Sequence, residues 1–74
     1  MEAQISQQSH FSKILRLRQV MAKTGLARST IYDLIKKESF PKPIKLAAKI
    51  VGWLENEIEE WISTQIRKSR GGNI

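Results

Sequence analysis

The chain has 74 residues, 41% of them hydrophobic, enough for one small domain with a core of about 15 to 18 positions and too few to line a deep catalytic cavity. It has no cysteine and one histidine, His10, which excludes disulfides, thiolate metal sites and histidine clusters. Thirteen Lys and Arg against seven Asp and Glu leave a net charge of +6 and a pI near 10.1. This is the footprint of a polyanionic partner, although composition alone does not separate DNA from RNA or an acidic membrane surface.

Residues 1–12 are rich in Gln and Ser and lack periodicity, so they read as a disordered N-terminal arm. Glu2 and Gln4 stand where a secretory signal carries basic and then apolar residues, and no apolar run exceeds three residues. A cytoplasmic, nucleoid-associated location follows, with no membrane partner. Ile14 and Leu15 form a short apolar stretch that lays an extended segment on the core. Leu17, Val20 and Met21 then fall on one helical face, and Lys23, Thr24 and Gly25 end that helix, with Gly25 suited to a left-handed conformation. Leu26 plugs the corner. A second helix is expected from Arg28 to Lys37, with Ile31, Leu34 and Ile35 as its buried stripe. Two short helices joined by a Gly-containing turn form a helix-turn-helix unit.

Pro41 and Pro43 remove backbone donors and push Phe40 and Lys42 into extended conformations. Ile44 and Leu46 alternate with Lys45, while Lys49, Val51 and Trp53 share one side of the next stretch. The pattern predicts a two-stranded hairpin over 44–53, turning at Ala47 and Ala48. Alanine tolerates positive φ poorly, which makes that turn the weak point of the reading. In the last helix Leu54, Ile58, Trp61, Ile62 and Ile66 make one apolar stripe. Its glutamates at 55, 57, 59 and 60 and its Arg67 and Lys68 complement the helix dipole. Trp53 and Trp61 are expected to dominate the core. The domain is set at residues 13–69, with a flexible tail over 70–74. The fold class is mainly α with a small β-hairpin, a winged helix-turn-helix of three helices and a two-stranded wing.

The second helix holds the first candidates for function. Arg28, Ser29 and Thr30 lie in its opening turn, and Tyr32, Lys36 and Lys37 lie off its buried stripe. A recognition helix reads base edges near its N-terminus while nearby cations grip phosphate. Arg28 has the geometry for a bidentate pair with guanine, and Ser29 or Thr30 for a base edge or a phosphate oxygen. The alternatives are a helix cap for Ser29 or Thr30, a solvated charge for Arg28 and packing for Tyr32. Lys42, Lys45 and Lys49 surround the hairpin, where they either reach phosphate or blunt an exposed strand edge. Arg16 and Arg18, with Lys13, stand before the same choice, either anchoring the first helix near phosphate or serving as surface charges. From Lys13 to Lys49 there are ten basic residues against Asp33 and Glu38. The glutamates of the last helix are repelled by nucleic acid and face away from it, toward a basic partner or a second copy. No nucleophile, base and metal constellation appears, so no enzyme, cofactor or small-molecule ligand is expected.

Three pieces taken together, TGLARSTIYDLI, FPKPIKL and VGWLENEIEEWI, resemble the AlpA family of prophage regulators, small winged-helix relatives of the excisionases and of the MerR DNA-binding domain. The likeness covers about Ile14 to Arg67. It implies a regulator that binds double-stranded DNA for a prophage or integrative element and acts on integrase expression or on excision. Two alternatives stand beside it. One is an excisionase-type directionality factor that bends DNA and contacts an integrase. The other is an antirepressor or adaptor that holds a protein through its C-terminal helix. The family usually places Ser where this chain has Ala27. Losing that cap weakens the helix start by about 1 kcal/mol, unless Ser29 or Thr30 caps from a shifted start.

Overall fold

The computed structural model describes residues 13–71; the N-terminal arm over 1–12 and the tail residues Gly72, Asn73 and Ile74 lie outside the described residues. In chain order the elements are β1 (Ile14–Leu15), α1 (Leu17–Thr24), α2 (Arg28–Lys36), β2 (Ile44–Ala47), β3 (Ile50–Leu54) and α3 (Glu55–Arg70).

The α1–α2 corner follows from its residues. Val20 is fully buried, and Leu17, Met21 and Leu26 pack partly buried around it. Thr24 locks the turn by donating its hydroxyl to the Val20 carbonyl at 2.8 Å and accepting the Leu26 N–H at 3.2 Å. Gly25 takes φ 77° and donates its N–H to the Met21 carbonyl, a left-handed cap that a side chain would strain. α2 starts at Arg28 with Ala27 as an extended N-cap that supplies no side-chain acceptor. The shifted start therefore does not occur, and Ser29 and Thr30 stay exposed without capping the helix. Its buried stripe is Ile31, with Leu34 and Ile35 half-buried.

α2 ends at Lys36, one residue earlier than the sequence suggested. The Glu38 N–H bonds the Ile35 carbonyl and the Ser39 N–H bonds the Leu34 carbonyl, the two bonds of a Schellman motif. Glu38 occupies its left-handed position at φ 60°, where glycine is usual, at a cost of roughly 1 kcal/mol.

The wing differs from the sequence reading in two respects. β1 pairs antiparallel with β3, Ile14 opposite Leu54 and Leu15 opposite Trp53, so the sheet has three strands in the order β1-β3-β2. β2 pairs with the other edge of β3, Ile44 opposite Gly52 and Lys45 opposite Val51. The turn falls at Ala48 and Lys49, because an irregularity between Lys45 and Ala47 absorbs a residue before the chain reverses. Neither alanine has positive φ, which removes the objection to alanine there. Gly52 is required for close approach: a Cβ on it would lie 2.6 Å from Ile14 Cγ2 and 3.1 Å from the Leu15 carbonyl oxygen.

The buried core is Leu15, Val20, Ile31, Phe40, Trp53 and Ile58. Trp53 dominates it as expected, whereas Trp61 is only half-buried and stacks edge-on against Phe40 with ring centres 4.7 Å apart. Both indoles clamp the proline-bearing connection between α2 and β2. Trp53 Nε1 donates to the Pro41 carbonyl at 3.0 Å and Trp61 Nε1 to the Ser39 carbonyl at 2.7 Å. Along α3 the apolar stripe becomes more exposed toward its C-terminal end. Ile58 is buried and Ile62 half-buried, while Ile66 at the far end of the stripe is 47% exposed. The helix runs through Arg70, one residue past the expected domain end, and Gly71 closes it by donating its N–H to the Arg67 carbonyl at 2.7 Å. Three helices with this hairpin make a winged helix-turn-helix fold.

Candidate nucleic-acid interface

The start of α1, one side of α2 and the wing turn meet on one side of the molecule. Arg16, Arg18 and Gln19 from the start of α1, Arg28 and Tyr32 from α2, and Lys49 from the β2–β3 turn line an open notch of about 590 Å³. Leu17 and Val51 complete it, and no carboxylate among the described residues lines it. Four cations separated in sequence thus share one concave surface, an arrangement that concentrates positive potential. Arg16 is extended ahead of α1, and its N–H is held by Gln19 Oε1 at 2.9 Å. That bond fixes the chain direction from which the guanidinium leaves, and it explains the presence of Gln19, which the sequence reading did not single out.

At 100° per residue, Ser29, Tyr32, Asp33 and Lys36 occupy the side of α2 opposite buried Ile31. All four are exposed, Tyr32 by 41%. Arg28 and Tyr32 turn toward the notch, while Thr30 and Lys37 fall on the other edge of the helix. Lys37 is the C-cap residue, and its Nζ lies 3.0 Å from Asp33 Oδ2. Asp33, given no role from sequence, stands in the middle of the outward face with a cation already beside it.

The wing lysines separate in space. Lys49 lies in the notch, Lys45 stands on edge strand β2 opposite Val51, and Lys42 lines a second groove with Glu57 and Glu60 of α3. Sequence order placed the three together because it does not tell which side of the bent connection each leaves.

Lys23 is a further cation that sequence reasoning left unassigned. Its Nζ lies 3.1 Å from Glu59 and 3.4 Å from Glu55, which pins the end of α1 to the start of α3. The hydrogen bond to Glu59, followed by that to Glu55, holds the ammonium above the usual lysine pKa. Half of the acidic cluster on α3 is therefore occupied within the fold, beyond any complement to the helix dipole. Among the described residues no group of three or more His, Cys, Asp or Glu is placed to hold a metal ion, and no helix is long and apolar enough to cross a membrane.

Comparison with known proteins gives a consistent assignment. The family model described as "Prophage CP4-57 regulatory protein (AlpA)" matches residues 13–66. The chain is 48% identical to the DNA-binding transcriptional activator AlpA of Escherichia coli K12, over 74% of this chain and 87% of that protein. It is 42% identical to the uncharacterized protein ORF88 of Enterobacteria phage P4, over 81% of this chain and 68% of that one.

Proposed function

Since the chain belongs to the AlpA family of prophage regulatory proteins, we propose that it is a transcriptional regulator that binds double-stranded DNA. The observation that carries this reading is the notch that gathers Arg16, Arg18, Arg28 and Lys49, with no carboxylate among the described residues, beside the exposed face of α2. The face of α2 bearing Ser29, Tyr32, Asp33 and Lys36 enters the major groove. Arg28 reaches a guanine edge or the flanking phosphate, and Asp33 is placed to accept from a cytosine amino group. Arg16, Arg18 and Lys49 neutralise the backbone on either side, with the wing turn lying along it. The relative named a DNA-binding transcriptional activator supports the same reading. The process under control is integrase expression or excision of the element that encodes the protein, within the cytoplasm, and the chemistry calls for no cofactor.

Salt titration of binding to duplex DNA tests the electrostatic half of the proposal. With about five phosphates neutralised per domain, log K falls against log salt with a slope of roughly −4 to −5. A flat response overturns it. A promoter reporter, read beside an excision assay, assigns the controlled process.

A further inference from the structure

The second groove lies between α3 and the connection leading into β2, encloses about 1010 Å³ and faces solvent along much of α3. Its α3 wall has Glu60 and Gln65 at its edges and, between them, Glu57, Trp61, Thr64 and Lys68. These four are spaced four, three and four residues apart, the spacing of a seam that a second helix can pack against. The seam is acidic at its start and basic at its end, with a large aromatic and a small hydroxyl residue between. Glu60 and Arg67 run beside it along the outer edge. None of Glu57, Glu60, Arg67 and Lys68 has an ion-pair partner among the described residues; Arg67 only rests its guanidinium 3.3 Å from Thr64 Oγ1, at the rim of the seam.

We propose that this face of α3 is a self-association surface, and that its occupant is α3 of a second copy running antiparallel. A two-fold axis between Ile62 and Ser63 sets Glu57 against Lys68 of the second copy, and Lys68 against its Glu57. The same axis sets Glu60 near Arg67 of the second copy, and Trp61 opposite the small Thr64. Every charged residue of the seam meets its opposite, which a parallel pairing does not achieve because it sets like against like. Self-complementarity of one patch is what a two-fold interface requires. α3 is already folded within each domain, so association orders little new chain. The patch covers about three helical turns and is smaller than a standard interface, so the dissociation constant is expected on the order of 100 μM. This proposal does not rest on the DNA-binding reading.

Sedimentation equilibrium of the full chain without DNA, from about 10 μM to about 1 mM to bracket that constant, tests it. The wild type should pass from monomer to dimer across this range. Glu57→Lys alone and Lys68→Glu alone each set like charges together twice per dimer, and each should weaken association by at least about tenfold. An equimolar mixture of the two variants restores both ion pairs and should associate as the wild type does. The double variant Glu57→Lys/Lys68→Glu in one chain should also associate, which separates lost pairing from lost folding. A wild type that stays monomeric throughout, single variants that dimerise unchanged, or a mixture that stays monomeric would overturn the proposal.

Discussion

Replacing Gly52 with alanine sets two opposing effects against each other at the centre of the sheet. The backbone there is not left-handed, so alanine gains about 0.5–1 kcal/mol by restricting the unfolded chain. Against this, the new Cβ would stand 2.6 Å from Ile14 Cγ2, about 1 Å inside ordinary carbon contact. It would also meet the Leu15 carbonyl oxygen at 3.1 Å and Leu46 Cδ1 at 3.2 Å. Ile14 Cγ2 is attached at a branched Cβ with one favoured rotamer, so it moves only if χ1 changes or β1 shifts from β3. Overpacking of this kind costs about 1–3 kcal/mol, which outweighs the entropic gain and leaves a net destabilisation of about 1–2 kcal/mol. Urea unfolding followed by the fluorescence of Trp53 and Trp61 measures it, and the melting temperature should fall by about 4–8 °C per kcal/mol. Ile14→Ala removes the clashing methyl, so the double variant should recover about 1 kcal/mol relative to the sum of the single changes. A neutral or stabilising Gly52→Ala, or single changes that add within about 0.5 kcal/mol, would show that no clash with Ile14 forms.

Arg28→Ala should cost about 1–3 kcal/mol on a selected DNA site and much less on random duplex, and equal losses on both would mark Arg28 as a phosphate contact. Glu38→Gly relieves the left-handed residue after α2 and should stabilise the domain by up to about 1 kcal/mol in the same urea assay, whereas destabilisation would count against the strain. The Lys23 pKa is raised in the folded state, so its contribution to stability is complete below the ordinary lysine value and is lost as pH rises through the folded one. Melting curves above about pH 10 should therefore fall more steeply for the wild type than for Lys23→Met, and parallel curves would contradict the pairing with Glu59 and Glu55.

Much of this architecture is legible because its causes are local. The spacing of Leu17, Val20 and Met21, the glycine after Thr24 and the paired prolines each act within a few residues, and the elements they predict are present. The failures have long-range causes. Two residues, Ile14 and Leu15, carry no strand pattern of their own, and they pair because β3 returns beside them 38 residues later. Lys23 looks like one more basic residue until α3 brings Glu59 to 3.1 Å. Ile66 continues a periodic stripe, but periodicity does not show that it stays 47% exposed beside the end of α1. The candidate site was legible as a set of cations and scrambled as a place. Arg16, Arg18, Arg28 and Lys49 converge, while Lys42 faces the other groove.

Selection from a random duplex library at about 150 mM salt, where non-specific phosphate binding is weakened, asks whether the face of α2 reads bases. Sequencing of the retained DNA should reveal an enriched motif with wild-type protein, and the motif should weaken at one position with Arg28→Ala. If retention occurs without enrichment, or not at all, then the face of α2 does not read bases and the account of this chain as a sequence-specific regulator is wrong.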